Sequence, residues 1–280
     1  MEDQEAAARA KPIPEPLPEP DPVRPNVARV YDYLLGGKDN YAVDRALGDQ
    51  IIAGVPAVQV GVRAQRELLG RVVRYLVAEQ GVRQLIDIGS GLPTADNVHE
   101  IAHRIDPATK VVYVDNDPVV LAHARALLAD NAVTAVVDGD LRDPEGILAQ
   151  PALRDLLDWD QPVGLLLCGI LHYVRDEEQP AELTRALWQA LPPGSYLFIH
   201  HLLDSEDPAI SSIQEAFQAG MGRGQFRTWA QIRALFEDLK LVEPGLVLVP
   251  DWRPDPQTPG ASDFPVLRLA CAGVARTDGT

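Results

Sequence analysis

Cysteine is scarce in this chain, at two among 280 residues, and methionine is equally rare. Cys168 and Cys271 sit in separate apolar runs, so they read as buried free thiols. Neither a disulfide framework nor a metal site is expected. Basic residues are few as well: 25 Lys and Arg against 41 Asp and Glu leave a net charge of −16. Nucleic-acid binders need a basic face for phosphates, and no Lys/Arg cluster supplies one, so no nucleic-acid partner is expected. No apolar stretch approaches the ~20 residues of a membrane span. Met1 to Lys11 is acidic and alanine-rich and has no apolar signal-peptide core. These absences lead to the expectation of a soluble, cytoplasmic protein with no membrane partner.

What is present suits a globular α/β chain. Hydrophobic residues make up 46% of it, enough to bury a large core. Residues 1–25 are expected to be a disordered arm, because proline recurs at 12, 14, 16, 18, 20, 22 and 25. Residues 26–80 read as helical. Asn26 is placed to cap a helix through Leu35 that Gly36-Gly37 stops; further helices are expected over 42–52 and 63–79. From residue 81 onward strands and helices alternate, with strands at 84–88, 111–115, 133–137, 163–168 and 195–201. Such alternation predicts a parallel sheet covered by helices on both faces. The last third breaks the rhythm: strands near 245–250 and 265–275 follow one another without a helix between them. They are expected to form an antiparallel pair at the sheet edge.

The strand ends carry the chemistry. Asp87, Gly89, Ser90 and Gly91 form a turn in which two glycines let the backbone bend sharply and let a ligand approach. The strand 111–115 ends in Asp115, with Asn116 next to it, and Asp115 is placed for ribose hydroxyls. Beyond the third strand, Asp140 is placed to accept the exocyclic amine of adenine, with Leu141 against the ring. The fourth strand ends at Cys168-Gly169, a small pair beside the ligand, followed by a polar rim at His172-Tyr173. Ligands of open α/β sheets bind at such C-terminal strand tips. Asp117 and Asp143, in contrast, read as helix caps. Thr94 stands where a dinucleotide fingerprint has its third glycine, which weighs against a nicotinamide cofactor.

The run Ala28-Arg29-Val30-Tyr31-Asp32-Tyr33-Leu34-Leu35-Gly36-Gly37-Lys38-Asp39-Asn40-Tyr41 is distinctive. With Asp87-Ile88-Gly89-Ser90-Gly91, Tyr113-Val114-Asp115-Asn116-Asp117-Pro118, Glu243-Pro244-Gly245 and Trp252-Arg253-Pro254, it resembles an actinobacterial family of S-adenosylmethionine (SAM)-dependent methyltransferases. The resemblance covers residues 25–276. It implies a Rossmann-like methyltransferase fold: a mostly parallel seven-stranded sheet with an antiparallel C-terminal strand, helices on both faces and an N-terminal helical lid. It also implies SAM as cofactor and S-adenosylhomocysteine as product. The Gly89–Gly91 turn would then lie under the methionine moiety, with Asp115 at the ribose and Asp140 and Leu141 at adenine.

Methyl transfer from a sulfonium needs no acid for the leaving group, so the enzyme's work is positioning and exclusion of water. A base is needed only for acceptors that must lose a proton. His172 is the best-placed candidate; the competing view is a rim histidine donating to a backbone carbonyl. Of His200 and His201, strand alternation allows at most one to reach a pocket. Tyr31, Gly37, Lys38, Asn40 and Tyr41 belong to a glycine-hinged stretch that reads as a lid. Lys38 or Asn40 would meet the cofactor carboxylate or the acceptor, while packing is the competing role for Tyr31. Trp252 and Arg253 either wall the acceptor cavity or pack at an interface. The partner expected is a small-molecule methyl acceptor. A non-catalytic SAM-binding module and, less favoured, an NAD(P)-dependent oxidoreductase are the alternatives.

Overall fold

A computed structural model describes residues 21–277 apart from 56, 94, 95, 129, 130 and 205–207. Most of the proline-rich arm and Thr94 therefore lie outside the described residues. Three helices come first: α1 (Val27–Leu35), α2 (Ala42–Gly54) and α3 (Val58–Arg74), the last continued by a wider helical turn, Tyr75–Glu79. Asn26 caps α1 by accepting from the amides of Ala28 and Arg29, and Gly36, at φ 87°, ends it in the left-handed region. α3 starts five residues before the expected Arg63, with Ala57 at φ 65° ahead of it.

The alternating region follows as β1 (Gln84–Ile88), α4 (Val98–His103), β2 (Lys110–Asp115), α5 (Pro118–Leu127) and β3 (Thr134–Asp138). Next come α6 (Pro144–Ala149), α7 (Pro151–Leu156), β4 (Gly164–Cys168), α8 (Pro180–Gln189) and β5 (Tyr196–Leu202). Pro151 divides α6 from α7 because its ring cannot continue the preceding helix. The chain ends with α9 (Pro208–Met221), α10 (Trp229–Ala234), β6 (Lys240–Leu241), β7 (Val247–Leu248) and β8 (Ala270–Arg276).

The sheet order is β3-β2-β1-β4-β5-β8-β6, with β7 also on β8. β1 to β5 pair in parallel, and β8 is antiparallel to β5 over seven residues, from Tyr196↔Arg276 to Leu202↔Ala270. The expected antiparallel C-terminal strand is thus present. Eight strands occupy the seven expected positions because the edge strand is broken: β6 and β7 pair with the two ends of β8, and Gly245 turns between them at φ 91°.

Side-chain alternation splits the core into two layers. Leu85, Leu166, Phe198 and Val274 pack under α3 and its continuation. Ile86, Leu165, Leu197 and Ala275 pack with Ile147, Leu187 and Leu235 on the opposite face. A third cluster stands apart from both layers. There Val30 and Leu34 of α1 and Leu47 and Ile51 of α2 meet Ile210, Ile213 and Phe217 of α9. Two stretches of chain more than 150 residues apart thus build one apolar cap. Trp252 is fully buried against Tyr75, 5.7 Å between ring centroids, while Arg253 lies over Tyr75 and pairs with Glu79 at 2.9 Å. Both belong to the packing of α3, not to a cavity wall.

Candidate active site

One cavity of about 350 Å³ opens where the sheet tips meet the cap. That volume lies in the range of small-molecule sites. Its polar end is made by the tips of β1, β2, β3 and β4. Asp87, Gly89, Ser90, Gly91, Asp115 and Asn116 line it, joined by Asp140 and Leu141 and by Cys168 and Gly169. The structure brings together every strand-tip residue singled out in the sequence.

Local geometry explains why. Gly89 extends the ladder, its amide bonding Val114 O at 2.8 Å, and then turns at φ 71°. A Cβ there would lie 2.8 Å from Ile170, so packing as well as conformation requires glycine. Gly91, at φ 69°, differs: a Cβ would meet nothing within 4 Å. Its bare backbone keeps space free on the cavity side. Asp115 is fixed by accepting from the Gly91 amide at 2.9 Å and the Asp117 amide at 3.0 Å. Burial raises its pKa, partly offset by those two amides.

Asp87 is the electrostatic centre of this end. Burial pushes its carboxyl up to about 7, against the pull of the Arg66 charge and with the Asp115 charge adding to the rise. Asp140 behaves oppositely. Arg142 donates to both its oxygens, Asn116 donates at 3.0 Å, and its pKa falls to about 2. Cys168 remains a thiol, pushed up to about 12 by burial and then by Asp87, and Gln65 lies 3.7 Å from its sulfur.

The other end of the cavity is apolar. Tyr31, Leu34, Ile51 and Val62 wall it from α1, α2 and α3, and Ile213, Phe217 and Met221 from α9. His172, Tyr173, His200 and Leu202 form the side nearest the sheet. His200 reaches the cavity, whereas His201 lies on the opposite face and accepts from Arg227 at 3.0 Å. His172 is not a rim residue donating to a carbonyl. It is 4% exposed, stacks on Phe217 and meets Tyr173 at a 50° tilt, and its Nδ1 has no partner.

The segment read as a lid is placed differently. Gly37, Lys38, Asn40 and Tyr41 do not line the cavity. Asp32 gathers this loop instead, accepting from the Asp39 amide at 2.9 Å and from Asn40 Nδ2 at 2.8 Å. The Gly37 amide bonds Asp32 O, and Tyr41 begins α2 with its amide on Asp44. Lys38 is exposed to solvent. Gly37 is conformationally ordinary, and its requirement is steric: a Cβ would fall 1.9 Å from the Asp32 carboxylate. The glycines and polar residues of this stretch serve a tight turn, which sequence alone does not distinguish from a lid.

Several important residues escaped the sequence reading. Arg66 of α3 lines the polar end beside Asp87. Arg142 and Arg223 frame the mouth and both pair with Glu178, at 3.8 and 3.0 Å. Arg29 is buried, and its guanidinium joins Asp44 at 2.9 Å and Asp117 at 3.2 Å. Asp117 also caps α5, so Arg29 ties the first two helices to the loop that presents Asp115. None of these carried a signal in the sequence; Arg29 lies on the side of α1 opposite Val27, Val30 and Leu34.

Comparison with known proteins agrees with this geometry. A family model described as S-adenosyl methyltransferase matches residues 16–278. A candidate methyltransferase from Thermobifida fusca is 43% identical, covering 91% of this chain and 96% of its own, at a TM-score of 0.87. A protein of the DUF574 family from Streptomyces avermitilis is 40% identical over 92% and 99% of the two chains, also at 0.87. The N-methyltransferase NodS of Bradyrhizobium japonicum, in complex with S-adenosylhomocysteine, shares the fold at a TM-score of 0.51 and 14% identity, over 90% of this chain and all of its own. No curated protein matches the sequence. The cavity suits the cofactor of such proteins: bare backbone at Gly91, a fixed carboxylate at Asp115 and a buried acid at Asp87 face one hollow.

Proposed function

The chain belongs to the S-adenosyl methyltransferase family, and from that premise we propose that it methylates a small organic molecule held in the apolar end of the cavity. SAM is the cofactor, and it supplies an electrophilic methyl group on a sulfonium. The observation that carries the reading is the continuity of the two ends: strand tips with carboxylates and glycines open directly into an apolar chamber under the cap. A methyl group placed at the junction faces a space of molecular size. That space is neither a groove for a chain nor a basic surface.

The residues divide the work. Asp115 offers the remaining lone pairs of its carboxylate to a ribose, and the Gly89–Gly91 turn leaves room for an amino-acid tail. Asp87, buried beside Arg66, answers positive charge on that tail once ionised. Asn116, Asp140 and Leu141 border the place for the adenine. The cap contributes apolar walls, which keep water from competing for the methyl group and raise the cost of any misplaced charge.

Calorimetry with SAM and with S-adenosylhomocysteine tests the cofactor half. Incubation with methyl-labelled SAM and a small-metabolite extract tests the transfer half, the expected result being label in a low-molecular-weight product. Tight cofactor binding with no acceptor labelled from any extract would favour a SAM-binding module instead.

A further inference from the structure

The cap end of the cavity has two properties that the cofactor does not use. Its lining residues from α1, α2, α9 and β5 include no carboxylate, lysine or arginine among the described residues; Arg66 of α3 lies at the polar end beside Asp87, and Arg223, which follows α9, is paired with Glu178. A charged ligand placed there would lose its hydration without gaining a counter-charge. The second property is a pair of imidazoles left wanting. His172 and His200 are 4% and 1% exposed, both line the cavity, and the Nδ1 of each is buried without a hydrogen-bond partner. Buried polar atoms are nearly always satisfied, yet the Nε2 of neither ring has a protein partner among the described residues, and this nitrogen, not the enclosed Nδ1, is the one a ligand's polar group can reach from the cavity. The rest of that wall is apolar or aromatic, and Phe217 lies 6.2 Å from the His172 ring at an interplanar angle of 17°.

Resting on the methyltransferase reading above, we propose that the acceptor is an uncharged, largely apolar ring compound bearing a hydroxyl. That hydroxyl bonds to His172 and is itself the methylated oxygen. Burial and the neighbouring His201, His200 and Arg227 hold His172 neutral at physiological pH. A neutral imidazole offers one donor and one acceptor, which matches the one donor and two lone pairs of a hydroxyl. An ether-forming acceptor must also shed its proton as it reacts. The acceptor oxygen bonds to the methyl carbon as that carbon's bond to sulfur breaks, and the bonding pair returns to sulfur, cancelling its positive charge. The hydroxyl proton passes to His172, and the imidazolium releases it to solvent when the product leaves. His200 lies in the same wall to orient the ring substituent.

The test uses the full chain saturated with S-adenosylhomocysteine, titrated with naphthol, naphthalene and naphthoate. These three share a ring and differ only in carrying a hydroxyl, nothing or a charge. Naphthol should bind roughly tenfold or more tightly than either of the others, as expected where a site built to bond a hydroxyl meets an analogue without one. His172→Phe should erase the advantage of naphthol over naphthalene, and should slow label transfer from SAM to naphthol by about a hundredfold or more. Naphthoate binding as well as naphthol, naphthol binding no better than naphthalene, or no probe binding while S-adenosylhomocysteine does, each overturns the proposal. Failure of S-adenosylhomocysteine itself to bind would strike at the methyltransferase reading instead. Should His172→Phe not fold, the three-probe comparison on the unaltered chain still decides.

Discussion

The two ends of the cavity are assembled in opposite ways. At the polar end each functional group except Arg66 of α3 sits within a few residues of a strand terminus, and the sheet lines those termini up side by side. At the apolar end the wall comes from α1, α2, α3, α9 and the end of β5, which no local pattern unites. The first end is specified by position along a strand and the second by packing between distant helices. A parallel sheet makes function local in sequence, since every strand delivers its C-terminal residue to the same edge. A helical cap spreads function across the chain.

Arg29 holds the two ends together, and its loss is expected to have the largest effect on stability. Arg29→Met leaves the carboxylates of Asp44 and Asp117 buried without their partner, which should cost about 3–5 kcal/mol in denaturant unfolding. An Asp44→Asn/Asp117→Asn double substitution in the same background should recover part of that loss, because the uncompensated charges are then gone.

At the polar end, Asp115→Ala should weaken SAM binding by about 1.5–3 kcal/mol in calorimetry. The adjacent glycines sharpen this. Gly89→Ala meets Ile170 and should lower stability together with affinity. Gly91→Ala meets only open space, so beyond a left-handed penalty of about 1–2 kcal/mol its effect should fall on cofactor affinity. Equal affinity losses with equal stability losses would remove the distinction drawn between them.

Protons distinguish the ends again. Asp87 has a carboxyl raised to about 7, so it holds a proton below that pH. SAM carries an ammonium and a sulfonium, and its affinity should therefore weaken as pH falls through about 7. The buried histidines act on stability. His200 and His201 are lowered by burial to about 4 and about 3, and His172 lies well below its ordinary 6.5. Below 6.5 the unfolded chain takes up protons that the folded chain refuses, so this contribution to stability falls as pH falls toward those values. Asp87 opposes it. Its folded pKa exceeds 3.8, so its own contribution is complete below 3.8 and is lost as pH rises toward about 7. Three imidazoles outweigh it and Asp115, and the urea midpoint should drop on moving from about pH 7 to about pH 5.

The smallest effect is expected at the cap. Met221→Ala enlarges the apolar end and should leave SAM affinity within about 0.5 kcal/mol of the parent. A larger change would show that the two ends are not separable.

Much of the fold was legible in the sequence. The five expected parallel strands fall within one residue of their observed bounds at either end. The broken edge strand escaped because two-residue strands leave no periodic trace. Of the residues singled out for a site, those at strand tips line the cavity. Gly37, Lys38, Asn40 and Tyr41 do not, because a glycine-rich polar turn looks the same whether it closes on a ligand or on Asp32. Arg66, Arg142, Arg223 and Phe217 went unseen, since their relevance depends on helices and loops whose placement no short window encodes.

By itself the sequence determined the strands, the acids and glycines that end them, and hence one edge of the sheet rich in ligand-facing groups. Local backbone preference and side-chain alternation suffice for that, because neither depends on remote partners. The tertiary structure decided that α9 joins α1 and α2 as a cap, that His172 and His200 are buried with nitrogens unpaired, and that Arg29 braces cap to crevice. Those outcomes follow from which apolar faces meet across more than 150 residues and which charges meet across as many as 88, and only the folded chain brings them within reach.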